Sequence, residues 1–326
     1  MTSNNSSPCS YSQECGGCNY LHLDQDDYQS LKSKSLTSVL RNVISDQKPE
    51  FYWIDPPSRR KITLHVNENN KLGFFRSRSK DIVVVDSCYV AVEEISDLIP
   101  ALQKITKSVP TKTVNRIQVT SLEGGLDVVF FLNKELNFES EQRIMEFAKA
   151  NKVNASFSFK NSIQVIYLSS RNKLNIENGL ELELGSNSFI QASSQGLQAI
   201  TKTIRDFIKS NYSKPISLVD LYSGFGVYSF AVSDLASKIA IFEGSQEMID
   251  VANRNIKNNS ITNPFKTQHQ DLFNFPVPKE DLKKVDLVII NPPRNGASSQ
   301  IKEISKSNVK SLVYVSCNPK TFVRDF

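Results

Sequence analysis

Residues 217–234 read SLVDLYSGFGVYSFAVSD, and the way this stretch folds decides the architecture of the C-terminal half. An apolar run, SLVDL, meets Gly224 and Gly226 and continues into a second apolar run. A strand that ends in a glycine turn and opens a helix is a unit of a doubly wound α/β sheet, since backbone without Cβ lets a nucleotide-like ligand approach closely. A lone G-x-G also serves as an ordinary tight turn, so its surroundings carry the decision.

The surroundings repeat the pattern. KIAIFEGSQEMIDVANRNIKNNSI (238–261), DLVIINPPRNG (286–296) and SLVYVSCNP (311–319) each begin as a short apolar strand and end in an acidic, proline-rich or polar turn. Upstream, FIQASSQGLQAITKTIRDFIKSNY (189–212) reads as an entry loop and a helix. Parallel strands alternating with helices give a Rossmann-like α/β sheet, whose ligands bind at the carboxyl ends of the strands. Glu243 ends the second strand, where a carboxylate accepts hydrogen bonds from ribose hydroxyls. Pro292 and Pro293 stop the strand before them and stiffen the backbone that holds the Asn291 amide at the same edge.

The N-terminal half has another texture. Residues 26–44 space Tyr28, Leu31, Leu36, Val39, Leu40 and Val43 as an amphipathic helix. From about 59 to 184, strand-like KITLHV, DIVVVDS, RIQVTS, LDVVFFL and SIQVIYL alternate with helical ESEQRIMEFAKAN, an α+β pattern. The expected division is residues 1–184, a cysteine-bearing segment with an α+β domain, and 185–326, the Rossmann-like domain. With 326 residues the chain is long enough for two such cores.

Bulk properties exclude some classes. The longest apolar runs are strand-sized, and MTSNNSSP has neither a basic start nor an apolar stretch, so the reading is a cytoplasmic protein without membrane span or secretory signal. A formal charge of +5, from 39 basic and 34 acidic residues, permits a polyanionic partner without requiring one. Two basic clusters stand out, Arg59–Lys61 and Arg76, Arg78 and Lys80, and each also reads as an ordinary solvated loop.

Four of the five cysteines fall in the N-terminal half: Cys9, Cys15 and Cys18, spaced C-x5-C-x2-C, and the distant Cys88. In a reducing compartment such a set suits a metal site better than disulfides. Tetrahedral zinc and an iron–sulfur cluster both accept four thiolates, and spacing alone leaves both open.

The ordered set FIQASSQG, DLYSGFG, FEGSQEMIDVANRNIKNN, NPPRNG and VYVSCNPKTFVRD resembles the RNA uracil-5 methyltransferases, with SCNP-x-T-x-x-RD the most specific part. The resemblance implies S-adenosylmethionine as methyl donor and 5-methyluridine in RNA as product. Cys9, Cys15, Cys18 and Cys88 are similar to the iron–sulfur cysteines of the ribosomal branch, which implies a [4Fe-4S] cluster rather than zinc and 23S ribosomal RNA as partner. Gln191, Tyr222, Glu243 and Asn291 match the family's cofactor-binding positions, and Cys317 its nucleophile. The expected protein is a monomer.

Chemistry agrees with that role for Cys317. Uracil C5 is a poor nucleophile, but thiolate addition at C6 turns C5 into an enolate-like carbon able to attack a sulfonium methyl. A soft nucleophile is required, and cysteine supplies one even when partly ionised. A lone free cysteine is more often a buried filler, but the polar turn of Ser316, Asn318 and Pro319 disfavours that fate.

Two departures from the family pattern stand out. Asn291 occupies a position where the family has aspartate, and an amide carries no charge and accepts no proton. Family members also continue past the Arg-Asp pair to a glutamate taken as the proton-removing base, whereas this sequence stops at Phe326, so the expectation is a fragment, a naturally shortened catalytic domain with SLVYVS as an exposed edge, or another carboxylate in the glutamate's place. The expectation is also that the protein lacks the extra RNA-binding barrel that some relatives carry before the N-terminal cysteines. Two other readings follow: an amino-methyltransferase using the Asn-Pro-Pro turn, although its fourth residue is usually aromatic where this chain has Arg294, and a catalytically impaired RNA-binding relative.

Overall fold

The strand-like segments of the first half pair into one seven-stranded sheet. The computed structural model describes residues 7–41, 43–44, 48–160 and 162–326. Helix α1 (Gln25–Leu40) comes first. Then follow β1 (Lys61–Val66), β2 (Leu72–Phe75), β3 (Ile82–Val84), α2 (Glu93–Ser108), β4 (Val114–Leu122), β5 (Gly125–Leu132), α3 (Phe138–Asn151), β6 (Asn154–Phe159) and β7 (Ser162–Tyr167). The sheet order is β3-β2-β1-β4-β5-β6-β7, antiparallel except for β5 and β6, which run parallel because α3 carries the chain across between them.

Alternation along the strands chooses the faces. Ile62, Leu64, Ile117, Val119, Val128 and Phe130 point to one side, where they pack with Ile95, Ile99 and Leu102 of α2 and Ile144 and Ala148 of α3. Asn137 caps α3 by accepting from the Ser140 N–H, and Lys152 ends it in the left-handed conformation. Helix α1 departs from expectation: it buries none of its residues, so the spacing of Leu31, Leu36 and Leu40 does not mark a core face. It also stops at Leu40; of the remaining residues in the expected helix, 42 lies outside the described residues and Val43 and Ile44 are in a turn.

The second half forms a five-stranded, wholly parallel sheet. Two short strands, β8 (Lys173–Asn175) and β9 (Glu181–Glu183), and α4 (Ser194–Asn211) lead into it. Its elements are β10 (Ile216–Leu221), α5 (Val227–Ala231), β11 (Ala236–Glu243), α6 (Gln246–Asn258), β12 (Phe265–His269), β13 (Leu287–Ile290), α7 (Ser298–Ser305), β14 (Ser311–Tyr314) and α8 (Pro319–Asp325). The order β12-β11-β10-β13-β14 reverses direction between β10 and β13, the switch point at which such sheets open a ligand crevice. Strand β10 is buried along its whole length, while β14 lies at the edge and is half-buried.

The chain does not divide at a single point near 184. One compact unit takes Met1–Ser30, Trp53–Leu174 and Leu184–Gly196, and the other takes Leu31–Tyr52, Asn175–Glu183 and Leu197–Phe326. Buried polar anchors explain the interleaving. In the first unit Asp127, 2% exposed, accepts from Ser186 Oγ at 3.0 Å and from the Asn187 N–H at 3.4 Å, and Lys61 Nζ donates to the Ser188 carbonyl at 3.1 Å. In the second, Asn178 donates to the Phe230 carbonyl at 2.7 Å, and Asn255 exchanges hydrogen bonds with the Glu183 backbone at 2.7 and 2.9 Å.

Among the described residues no helix is long and apolar enough to cross a membrane. In β2, a Cβ added at Gly73 would stand 2.0 Å from the Val83 carbonyl oxygen, so only glycine lets β2 and β3 pair here. Gly73→Ala is expected to cost about 1–3 kcal/mol through overpacking, read as a lower denaturation midpoint with unchanged slope.

Candidate active site

Four of the turns singled out in the sequence come to the carboxyl ends of the second unit's strands. Tyr222 follows β10 in the left-handed region at φ 55°, and Gly224 and Gly226 continue the turn at 57° and 85°. An aromatic residue there is strained unless its surroundings fix it, a feature that clusters at ligand sites. Glu243, the last residue of β11, fixes the turn. Its carboxylate accepts from the Gly224 N–H and from the Ser245 N–H, both at 2.9 Å, and Ser245 caps α6. Each carboxylate oxygen keeps a lone pair for an outside donor.

Burial pushes the Tyr222 hydroxyl up to about 12, with the Asp271 and Asp325 carboxylates adding to the shift, so it remains a neutral donor at pH 7. Its ring meets Phe273 edge-on at 5.3 Å. Asp271 and Phe273 lie just beyond β12 and escaped sequence reading because that strand, FKTQH, has no apolar run to announce it. Asp271 accepts from the Phe273 N–H at 3.0 Å and from Asn274 Nδ2 at 2.7 Å. Below the turn, Asp220 is fully buried and accepts from Ser229 Oγ at 2.8 Å; burial pushes its carboxyl up to about 7, and Glu243 adds to the shift.

Asn291 extends the sheet beyond β13, its N–H donating to the Leu221 carbonyl at 3.1 Å. Cys317 is exposed in the turn between β14 and α8. That turn is pinned to the Asn-Pro-Pro-Arg turn at several points. Asn318 Nδ2 donates to the Arg294 carbonyl at 3.1 Å, and the same side chain caps α8 by accepting from the Lys320 N–H at 3.2 Å. Arg324 donates to the Asn295 carbonyl at 2.6 Å.

Asp325 completes the lock, its side chain wholly buried. One oxygen accepts from the Ala297 N–H and the Tyr314 hydroxyl, each at 2.6 Å, and the other accepts from Arg324 at 2.6 and 3.1 Å. Burial pushes the Asp325 carboxyl up, but Tyr314, the Ala297 N–H and Arg324 outweigh it and hold the group below the usual carboxylate range. Burial and this carboxylate together raise the Tyr314 hydroxyl. A Cβ at Gly296 would stand 2.5 Å from both Asp325 and Arg324, which leaves room for glycine alone.

Gln191 belongs to the first unit. The nearly buried Arg60, 3% exposed, holds its backbone: Nε donates to the Gln191 carbonyl at 3.0 Å, and the Arg60 N–H donates to the Ala192 carbonyl at 2.8 Å. Burial lowers the Arg60 pKa. Sequence reading placed Arg60 in a basic cluster and missed this positioning role, because charge pattern does not disclose burial.

The same unit brings Cys9, Cys15, Cys18 and Cys88 to the wall of one cavity of about 330 Å³, with Arg59 and Lys61 also lining it. The cysteine arm is fastened to the end of β2, where the Gly16 N–H donates to the Phe75 carbonyl at 2.8 Å and Glu14 pairs with Arg76 at 2.5 Å. Cys88 is held by its N–H, which donates to Ser96 Oγ at 2.9 Å. None of the four is in a disulfide. Burial pushes the Cys15 and Cys18 thiols up, and the neighbouring cysteines add to both shifts, as expected for thiols facing one space. Among the described residues no three His, Cys, Asp or Glu side chains stand as a formed metal site, so the four thiols converge without closing on one point.

A doubly wound sheet whose strand ends carry a glycine turn, a carboxylate and an Asn-Pro-Pro turn defines a nucleoside-binding α/β fold. Residues 32–268 match the family model described as tRNA (Uracil-5-)-methyltransferase, and the chain belongs to that family. The 23S rRNA (uracil(1939)-C(5))-methyltransferase RlmD of Shewanella halifaxensis is 28% identical over 97% of this chain and 74% of the relative. An uncharacterized RNA methyltransferase of Agrobacterium fabrum is also 28% identical, over 95% of this chain and 74% of that protein. The fold is similar to that of the Pyrococcus abyssi tRNA (uracil-54, C5)-methyltransferase in complex with S-adenosyl-L-homocysteine, with a TM-score of 0.74, 21% identity and coverage of 97% of this chain and 79% of that one.

Asp325→Asn is expected to cost about 1–3 kcal/mol by leaving buried donors poorly matched. A carboxyl held below its ordinary pKa stabilises the fold above the unfolded value and loses that contribution as pH falls through the folded one. The variant is therefore expected to melt lower at pH 7, with a smaller deficit in the acid range, in thermal melts across pH.

Proposed function

We propose that this protein transfers the methyl group of S-adenosylmethionine to C5 of a uridine in 23S ribosomal RNA through a covalent adduct on Cys317. The observation that carries the reading is an exposed cysteine locked against the Asn-Pro-Pro-Arg turn of a sheet that belongs to the uracil-5 methyltransferase family. The names of the relatives and the four-cysteine cavity support the ribosomal assignment over transfer RNA.

In this reading Tyr222, Glu243, Asn291 and Gln191 hold the methyl donor, which supplies an electrophilic methyl group when bound. The Cys317 thiolate would add to C6 of a uracil flipped out of its strand and so make C5 nucleophilic; the donor's sulfonium carbon–sulfur bond would break as the C5–methyl bond forms, with S-adenosylhomocysteine leaving. Loss of the C5 proton to a base then re-forms the C5–C6 double bond and expels the thiolate. The Asn291 amide, standing where the family has aspartate, can hydrogen-bond but takes no proton. The lock at Asp325 keeps the thiol from drifting, since a displacement of an ångström at the reacting atom is costly.

Cys9, Cys15, Cys18 and Cys88 are proposed to hold a [4Fe-4S] cluster with a structural role, clipping the N-terminal arm to the segment after β3. The supporting features are a complete set of four thiols on one cavity wall and the Arg59 cation, whose charge acts on the Cys18 thiol against the upward push of burial.

Cys317→Ala is expected to lower formation of 5-methyluridine by roughly 10³-fold or more, measured by mass spectrometry of 23S ribosomal RNA treated with protein and S-adenosylmethionine. RNA containing 5-fluorouridine, which has no C5 proton to lose, is expected to leave a stable adduct with the unaltered protein and none with the variant. Methylation that survives the substitution would instead assign an amino-methyltransferase. For the cluster, anaerobically purified protein is expected to be brown and to contain iron and sulfide, both lost in Cys15→Ala; zinc without sulfide would overturn the assignment.

A further inference from the structure

The helix-free face of the first unit's sheet carries a strip of side chains that the proposed chemistry does not use. Strand register creates it: His65 on β1 lies opposite Arg116 on β4, and Arg116 lies opposite Phe131 on β5. Phe75 is two residues along β2 from Gly73, the partner of His65, and so emerges on the same face. The Phe75 ring stacks on the His65 imidazole with centroids 3.9 Å apart and 22° between planes. On the next strands the Arg116 guanidinium sits 4.0 Å over the Phe131 ring. Phe75, His65, Arg116 and Phe131 thus run without a break across four adjacent strands.

Neighbouring rows of this face are already covered. Gln118 is bound to Asn187, Asp127 to Ser186, and Lys61 to the Ser188 carbonyl, while Val129 is fully buried. The strip remains open, with Phe75 36% exposed, Arg116 exposed, and His65 and Phe131 half-buried. At one end β2 passes into a turn whose Arg78 and Lys80 are exposed.

Scattered exposed phenylalanines are common and carry no message. A contiguous row of rings, Phe75 on His65 and Phe131 under Arg116, with no acidic group within it, is a different surface. Every nucleobase has a π-face that stacks on such rings, and basic groups at the margin meet phosphates. A sheet presenting aromatic side chains from adjacent strands suits unpaired bases, because a duplex hides its base faces within its own stack. Burial and the neighbouring Arg116 lower the His65 pKa, so at pH 7 the imidazole serves as a neutral ring.

We propose that the strip Phe75–His65–Arg116–Phe131 is a docking platform for single-stranded RNA, with two or three bases stacked on its rings and Arg78 and Lys80 facing the phosphates. The choice of polymer rests on the RNA-methylating reading above, but the platform lies outside the methyl-transfer machinery and can fail while that reading stands.

The probe is a fluorescein-labelled single-stranded 12-mer of mixed RNA sequence, with a 12-base-pair RNA duplex as comparison, followed by anisotropy on the full chain. Phe131→Leu and Phe75→Leu remove a ring while keeping an apolar side chain. Each is expected to weaken single-strand binding about 5- to 150-fold, corresponding to roughly 1–3 kcal/mol per stacked base, with the salt dependence unchanged. Arg116→Gln is expected to weaken binding and to reduce the slope of log affinity against log salt by about 0.7. Phe138→Leu, which alters an exposed ring off the strip, is expected to change nothing.

Unaltered single-strand binding in the strip variants would overturn the platform, and retained 5-methyluridine formation in the same samples would leave the methylation reading intact. Equal losses for single strand and duplex would also overturn it, in favour of a site that tracks only phosphate charge. A dimer in sedimentation that Phe131→Leu dissolves, with probe binding unchanged, would assign the face to a second copy of the chain instead. Circular dichroism and melting of each variant separate lost binding from lost folding.

Discussion

Asp325 accepts hydrogen bonds from the Ala297 N–H, the Tyr314 hydroxyl and Arg324, and so joins two loops that would otherwise leave their strands independently. Parallel strands align the starting points of such loops but not their tips, since each loop departs into solvent at the carboxyl end of its strand. A buried carboxylate with several charge-assisted or short hydrogen bonds has a narrow choice of geometries. In this molecule it fixes the turn that carries Cys317 against the turn that carries Asn291. The Arg-Asp pair of the SCNP-x-T-x-x-RD sequence is therefore an internal fastening, and its distance from the thiol along the chain is one short helix.

The first unit uses buried polarity in the same way but for another end. Asp127 sits in the otherwise apolar strand LDVVFFL and captures Ser186 and Asn187, while Arg60 captures the backbone at Gln191 and Ala192. One guanidinium nitrogen of Arg60 and one hydroxyl, that of Ser188, remain without a partner among the described residues. Charges buried at this depth destabilise the fold unless they are matched, so their retention argues that a definite path for residues 184–196 matters more than the last increment of stability.

Much of this was legible from residues alone. Glycine, acidic and proline turns after apolar runs disclosed the parallel sheet, because each punctuates a strand by its own backbone chemistry, and the structure puts Tyr222, Glu243, Asn291 and Cys317 at the carboxyl ends so identified. Period-two alternation disclosed the other sheet. What stayed hidden depends on long-range partners: Asp127 reads as a lone polar residue in a strand, Arg60 as part of a surface cluster, and Asp271 follows a strand too polar to notice. Helix α1 shows the converse, a periodic pattern with no core to receive it. The four cysteines could be grouped by count and spacing, but their meeting at one cavity wall depends on the pairing of the arm with β2, which spacing does not encode.

The interleaved units bear on the order in which the chain is made. The first unit has all seven strands of its sheet once Tyr167 is made, but it lacks its closing segment, 184–196, until synthesis has passed the short strands at 173–183. The second unit takes 31–52 from near the start and 197–326 from the far end, so its early piece waits through most of elongation before its partners emerge. At ordinary elongation speeds, that wait is on the order of ten seconds or more. Helix α1 contributes no fully buried residue, so no core residue of the second unit waits on that helix.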